Sequence, residues 1–532
     1  MAINVEVIQN QTTVEVETVG VQGPPGAAGS PGAGITVPYQ FRVADYGALG
    51  NGKMITDVNV TNGSAVLTSP SGKFSGAAVG QWVMVNTTNG SLRGQITTVT
   101  SATQVTINQA SDVTNTGLNA VYGTDDTVGI QAAIDAAKIY AEANQYYAEI
   151  IFDEAIYITA TNYQSSDGAS TFNTQLRIPA PTNNNGRKLV LRFKGVGRVD
   201  HFHYWNATMP ALAGTVLVSM LIGPTLMDST YGWQSVLGSP IPGSGMGGTF
   251  TPRFVNHKPV IEDICFVLPW KSGLSAVDLS YASGFYLDGC SFFSFAQPLF
   301  GNGLLLNDWY NTLGSRPEVG IRGSVYGNNA DVGIGHVAFE GLNTGIVTSG
   351  EHVTIQSIKA IYMGVVVGVA DTTTGHGITI DRVTAEAYQT GLSYFTGGSA
   401  RCPIKIGAWH TEVNPTAWDI YDPGNSFYGE VHWVEALVSR TLQVSGASHL
   451  RIVNDWYSPG NVTAPTLPAT TVAKKNDFYR DAAVSIRGGT VTVISVDGVQ
   501  VASATNTTVI VPSGKNITLT YSVAPTWVWT LL

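Results

Sequence analysis

Charge is what this chain has least of. Lys, Arg, Asp and Glu make up 12% of its 532 residues, about half the share usual in soluble proteins. A helix-rich chain of this length would need far more Glu, Lys, Ala and Leu than it carries. The balance is acidic, −10 overall with a pI near 5.3, and Lys or Arg nowhere form a run. Nucleic acid is therefore excluded as an expected partner, because that affinity rests on phosphate neutralisation. Cysteine is almost absent. Cys265, Cys290 and Cys402 stand alone, with no CxxC or Cys/His cluster, so no structural zinc site is expected and buried free thiols are the ordinary state. Cys265 and Cys290, 25 residues apart in similar contexts, are expected to stack in one interior ladder. No apolar run reaches 18 residues, so no transmembrane helix and no membrane insertion are expected. The opening residues lack the cationic head and apolar core of a signal peptide. GxSxG, Walker and DxDxDG patterns are missing, and no cofactor or metal site is expected. His201-Phe202-His203 has no third ligand at useful spacing, and the glycine-rich stretch 238–250 lacks the flanking strand and helix of a dinucleotide fingerprint.

What is abundant is glycine, 60 residues, together with Thr, Ser, Asn and Val, a balance that suits strands and turns. Residues 1–22 alternate apolar and polar (Ile3, Val5, Val7, then Val14, Val16, Val19) as one or two short strands do. In 23–34, Gly recurs every third residue with Pro between (Gly23-Pro24-Pro25-Gly26). Such a segment is either a flexible linker or a short collagen-like neck, in which only Gly fits the axis of three chains. The strict register favours the neck, which implies a homotrimer. Residues 35–53 hold a strand and glycine turns, FRVADYGALGNG. Residues 54–122 alternate with period two and are punctuated by Asn-Gly and Ser-Gly, as an inserted small β module does. A helix is expected over about 124–144, with Thr124 or Asp125 as its N-cap, and the strand EIIF follows it.

FRVADYGALGNG and TDDTVGIQAAIDAA together resemble the opening signature of pectate-lyase-like β-helix proteins, which are common among phage tail spikes. In that family a strand and a DYGA-type turn lead into a TDDT-type helix capping the first coil; here the insert splits the two halves. The resemblance implies an all-β fold: a right-handed parallel β-helix over 123–470, assembled as a homotrimer. Successive coils are expected to repeat every 19–27 residues, with Gly345, Gly364 and Gly391 recurring among them. From 471 to 532, dense Val/Thr alternation reads as a C-terminal β-sandwich, with Trp527 and Trp529 on one strand face, suited to trimer packing or sugar stacking.

A parallel β-helix has no sequence motif for catalysis, and the family includes lyases, hydrolases and inert binders. Coil alignment pairs Glu386 with Glu412, and Glu435 follows near the same column. Asp381 shares a coil with Glu386. Carboxylates one strand spacing apart raise one another's pKa, which suits a general acid beside a base or nucleophile. Tyr388, Trp409, His410, Trp418, Trp433 and Trp456 crowd the same region and suit stacking on sugar faces. A second aromatic group, Trp205, Tyr231, Trp233, Trp270, Trp309 and Tyr310, has Asp308, Glu318 and Asp331 nearby in sequence.

The expected function is therefore that of a virion component, a tail spike or fibre that adsorbs to host cell-surface polysaccharide. Its N-terminal segment would engage the phage tail, baseplate or an adaptor protein. Three readings stay open: binding with depolymerase activity, binding without chemistry, and a secreted polysaccharide lyase or glycoside hydrolase. The collagen-like neck argues against the third.

Overall fold

The computed structural model describes residues 38–161, 174–179, 181–182, 187–197, 214–221, 235–238, 257–270, 272–279, 282, 284–295, 318–323, 332–348, 352–369, 377–394, 401–411, 418–434, 444–446, 449–454, 460–462, 464–476 and 481–532. The expected N-terminal strands and the collagen-like segment lie outside them, as do His201, His203 and most of 238–250.

The main body is a parallel β-helix with three sides. Along the first side the strands Gln40–Arg42, Tyr147–Ile151, Val190–Lys194, Val260–Glu262 and Phe285–Asp288 stack in parallel. Along the second, Ala155–Thr159, Thr215–Ser219, Cys265–Pro269 and Cys290–Phe295 do the same. Along the third run Thr174–Arg177, Ser235–Gly238, Ser275–Leu279, Val319–Gly323 and Thr344–Thr348. Later coils join these sides into long, bent strands, Val353–Val369 and Ile378–Tyr394, paired in register throughout. The bends are legible in burial. Ile378, Ile380, Val383, Ala385 and Tyr388 all point into the core, so the inward step changes from two to three at each corner.

In-register stacking makes like residues meet. The inward column of the second side runs Tyr157, Leu217, Phe266, Phe292, Phe339, Ala360, Ala385, Thr411. Within it, Phe266 and Phe292 stack at 5.3 Å and Phe292 and Phe339 at 5.2 Å. Offset stacking of this kind adds to the burial of each ring. Glycines make room for such rings. A Cβ on Gly391 would lie 2.4 Å from Trp409 Cζ2 and 2.7 Å from the Asp419 carbonyl. Gly345 and Gly391 share one column with Val366 between them, whereas Gly364 stands two residues off it.

Register also corrects the cysteine ladder. Cys265 pairs with Ser291, one residue away from Cys290. A one-residue offset turns a side chain to the other face of a strand, so Cys290 is in the core of the helix while Cys265 lies on its outside, under the inserted module. Cys265, Cys290 and Cys402 are buried thiols, and burial pushes those of Cys290 and Cys402 up to about 12.

The capping helix is Thr127–Ala143 with Asp126 at its N-cap, not Thr124 or Asp125. Asp125 instead accepts from the Thr127 N–H and hydroxyl. The Asp126 carboxylate is 1% exposed and faces away from its own helix. It accepts from the backbone N–H groups of Leu49 and Gly50 on one side and Ile158, at 3.2 Å, on the other. One carboxylate thereby ties the DYGALG turn, the helix start and the first coil. The insert enters and leaves at one point: Asn51 and Thr124 hydrogen-bond reciprocally, and Gly52 and Gly123 pack so closely that a Cβ on Gly123 would sit 2.8 Å from the Gly52 Cα.

Between those points, strands Lys53–Val60, Val66–Thr68, Gln104–Ile107, Gly90–Ser101, Trp82–Thr87 and Asn115–Gly123 close into a small barrel. At the other end two four-stranded sheets face each other across Val484, Ile486, Ile494, Ile517, Leu519, Trp527 and Trp529. The first strand of this sandwich, Gly460–Val462, already lies before residue 471. Trp527 and Trp529 meet edge-on at 5.4 Å inside it, and the Trp527 indole N–H donates to the Pro465 carbonyl. Neither ring is on a surface, so the expected sugar or trimer contact through them is corrected.

Burial pushes the Asp126 carboxyl up to about 6, against the pull of the N–H donors. Its folded form therefore holds a proton that the unfolded chain releases near 3.8. The proton's contribution is complete below about pH 4 and is lost as pH rises through about 6, by roughly 3 kcal/mol. Asp126→Asn is expected to flatten this part of the stability profile, measured as denaturation midpoints at about pH 4.5 and pH 7. Asp126→Ala, which strands buried N–H donors, is expected to cost about 2–4 kcal/mol at pH 7. An unchanged pH difference in Asp126→Asn would refute the assignment.

Candidate functional site

The outward face of the second side changes character along its length. One outward column runs Ile158, Val218, Val267, Phe293, Glu340, Ile361, Glu386. The column beside it runs Ile156, Val216, Cys265, Ser291, Ala338, Lys359, Thr384, His410. The early coils are apolar here because the barrel sits on them. Met84 and Val121 of the barrel, with Met54 and Trp82 at the margin, pack on Ile158, Val216, Val218, Cys265 and Val267. Arg93 of the barrel donates to the Met220 carbonyl, and the Ser91 hydroxyl accepts from the Trp270 N–H at 2.9 Å. Beyond Phe293 the same columns turn polar and present Glu340, Lys359, Glu386 and His410.

Glu340 and Glu386 lie two ladder steps apart, roughly 9.5 Å between backbones at one strand spacing per step. Tyr362 sits at the corner that follows Ile361, between the two glutamates in the stack. Its φ is 56°, a left-handed conformation in which a bulky residue is strained by about 1–2 kcal/mol. In the coil below, Gly341 takes this corner at φ 72°. A tyrosine is thus held where glycine is cheaper, beside two carboxylates. Burial, then the negative charges of Glu340 and Glu386, push its hydroxyl up to about 12, so it is a proton donor and not a base at neutral pH. Glu340 is 5% exposed and Glu386 half-buried.

The residues expected from sequence separate into groups. Glu386 is on the outward face, and the described pairing next to it ends at Ala385 with Thr411. Glu412 and Glu435 lie outside the described residues, as does Trp456; of Trp433 only the backbone is described, paired with Trp409. Asp381 is exposed but flanks the first corner of its coil, while Glu386 flanks the second. His410 lies in the outward column beside Glu386, next to Thr384. Tyr388 and Trp409 are corrected: both are fully buried in the core. Tyr388 follows a corner, where the inward step is three, so alternation counted from the outward Glu386 misplaces it; Trp409 is the immediate neighbour of the outward His410 and faces inward with Thr411. The Tyr388 hydroxyl is used internally, donating to Asp419 at 2.6 Å.

Trp418 stays on the surface, 36% exposed, and its ring lies 6.2 Å from that of Tyr421, equally exposed. Trp418 pairs with Thr390, four residues along the strand from Glu386. Glu340 and Tyr362 escaped the sequence reading. The signal for Glu340 was available in its 46-residue separation from Glu386, two coils of the expected repeat. In the second aromatic group, Trp270 and Glu318 are buried, the latter accepting from the Ser272 N–H at 2.7 Å. Trp205, Tyr231, Trp233, Trp309, Tyr310, Asp308 and Asp331 lie outside the described residues. Among the described residues no three metal-ligating side chains converge, and no helix is long and apolar enough to cross a membrane.

No family model matches the chain, and no curated protein matches it. Among solved structures, the enzymatically active domain of tailspike protein 4 of bacteriophage CBA120 is similar at a TM-score of 0.22 and 11% identity, over 93% of this chain and 77% of that one. A likeness at that level carries no argument about function.

Core and surface aromatics are separable by substitution. Trp409→Ala is expected to cost about 3–5 kcal/mol of stability, read as a shift in denaturation midpoint. Trp418→Ala and Tyr421→Ala are expected to stay within about 1 kcal/mol of the parent. Equal losses at Trp409 and Trp418 would contradict this division.

Proposed function

We propose that the chain is a bacteriophage tail spike or tail fibre, acting from the virion on the host surface, and that it binds cell-surface polysaccharide along the outward second side. The observation that carries this is the change of that side from barrel-covered apolar columns to Glu340, Tyr362, Glu386, Lys359 and His410. Carboxylates and a tyrosine hydroxyl bond sugar hydroxyls, and the Trp418–Tyr421 pair, on the adjoining third side of the following coil, offers ring faces for sugar C–H surfaces. A β-helix suits a long polymer because each coil repeats the same face one strand spacing further on. The opening signature supports the same reading through its resemblance to tail-spike β-helices.

Glu386 is the residue to which cleavage is assigned. Its partner is Glu412, the next acidic residue of the following coil, or Glu340. With two ladder steps between them, room for a water between the Glu340 and Glu386 carboxyls would make hydrolysis by that pair inverting. A second reading, binding without chemistry, is favoured by the burial of Glu340, which limits its access to a sugar.

The test incubates the full chain with a panel of purified capsular and O-antigen polysaccharides and measures retention and new reducing ends. One polymer is expected to be retained, with affinity reduced about tenfold or more in Trp418→Ala. If the chain cleaves, Glu386→Gln is expected to lower the rate at least about 100-fold while leaving binding within a few-fold. Binding that is indifferent to Trp418→Ala, Glu386→Gln and Glu340→Gln removes the second side and the adjoining aromatic pair as the site. Retention without new ends selects the non-catalytic reading.

A further inference from the structure

Two inward columns of the β-helix turn polar at the same place. One runs Val236, Ala276, Gly320, Gly345, Val366, Gly391 and then Asp419. The six residues before Asp419 carry no polar side chain. In the neighbouring column Tyr388 stands on Met363. Tyr388 and Asp419 are both 0% exposed, and the tyrosine hydroxyl donates to Asp419 Oδ1 at 2.6 Å. A polar group in such a core is costly unless it is hydrogen-bonded, and a well-packed apolar pair is often as stable. Stability alone therefore does not explain why both columns break together.

Placement does. Asp419 adjoins Trp418 and precedes Tyr421 by two residues, and Tyr388 follows Glu386 by two. Toward the following coil the strand Ile378–Tyr394 is paired up to Ala385 with Thr411, and again from Thr390 with Trp418. Glu386 and the corner after it fall between, where the described residues form no ladder pair with that coil. The Tyr388–Asp419 bond crosses this interval. Apolar packing is non-directional, whereas a hydrogen bond fixes distance and angle. We infer that Tyr388 is a positioning residue of the polysaccharide face: through Asp419 it holds the exposed Trp418–Tyr421 pair at a set place relative to Glu386. The inference rests on the polysaccharide reading of that face and adds how its two halves are kept in one arrangement. A pair held in place before binding loses less freedom when a ligand arrives.

The test uses the full chain. Tyr388→Phe removes the hydroxyl and keeps the ring, and Asp419→Asn keeps an acceptor. Should Tyr388→Phe alone fail to fold, Tyr388→Phe combined with Asp419→Leu, which replaces both partners by apolar groups, takes its place. Amide exchange over 418–422 is expected to quicken about tenfold in the tyrosine variant and to stay near the parent in Asp419→Asn, with Cys265–Pro269 unchanged in both. Affinity for the polysaccharide that the parent retains is expected to fall about tenfold in Tyr388→Phe and to hold within a few-fold in Asp419→Asn. In a Trp418→Ala/Tyr421→Ala background, Tyr388→Phe is expected to add no further loss, because it acts through those rings. Unchanged exchange over 418–422 in the folded variant overturns the inference. So does an affinity loss of the same size with and without the two rings, or undiminished affinity in Tyr388→Phe where Trp418→Ala weakens binding. A polymer bound equally by the parent and Trp418→Ala strikes the polysaccharide reading instead, and the exchange result then decides alone whether Tyr388 holds the strand.

Discussion

The parallel, in-register ladder is the constraint on which everything else here depends. Each coil must present the same side to the core at the same step, so a residue's role is set by its column before its chemistry. Phe266, Phe292 and Phe339 stack because register superposes them. Cys265 and Cys290 part because register offsets them by one residue. The corners are where the constraint is relaxed. There the inward step lengthens from two to three, and glycine or a left-handed residue such as Tyr362 turns the chain. The ring stacks and the left-handed corner at Tyr362 both follow from one repeating geometry.

A ladder must be started, and the start is held by Asp126. Its side chain does for three separated segments what a backbone strand does later, accepting N–H groups from the DYGALG turn and from the first coil. This explains why the opening signature survives a split. The insert departs and returns through Asn51, Gly52, Gly123 and Thr124, which touch one another, so the barrel adds a closed loop without separating the groups that Asp126 joins. Closing even a long loop at fixed ends costs little more than closing a short one.

Fold class was legible because its signals are local: period-two alternation, turn glycines, and a signature whose parts lie near each other in space. The helix was legible from Ile130, Ile134 and Ala137, although its cap was misplaced by one or two residues because the carboxylate at the cap serves a tertiary role. The candidate site was only partly legible. Glu386 could be assigned outward from its strand pattern, but Tyr388 could not be assigned inward, since the corner after Ala385 resets the alternation and leaves no mark in a single sequence. Coil alignment by motif was also prone to slip. His352-Val353-Thr354-Ile355 pairs with the stretch ending at Ile334, not with the similar His336-Val337-Ala338-Phe339. Trp527 and Trp529 looked like surface rings for the same reason: alternation reports which residues share a face, and only packing reports which face is covered.

That last distinction also explains the second side of the helix. In its early coils the outward column is as apolar as the inward one, Ile158, Val218 and Val267 against Tyr157, Leu217 and Phe266. A strand buried on both faces reads as a continuous apolar run, and here the second cover is the barrel. Where the barrel ends, the outward column has to become polar or leave apolar surface in water, and it does so at Glu340. The change therefore follows the insert's footprint: carboxylates, a strained tyrosine and a cation appear in the coils beyond the apolar contacts of the barrel. The insert, in this light, is what converts a uniform face of a repetitive fold into one place unlike the rest.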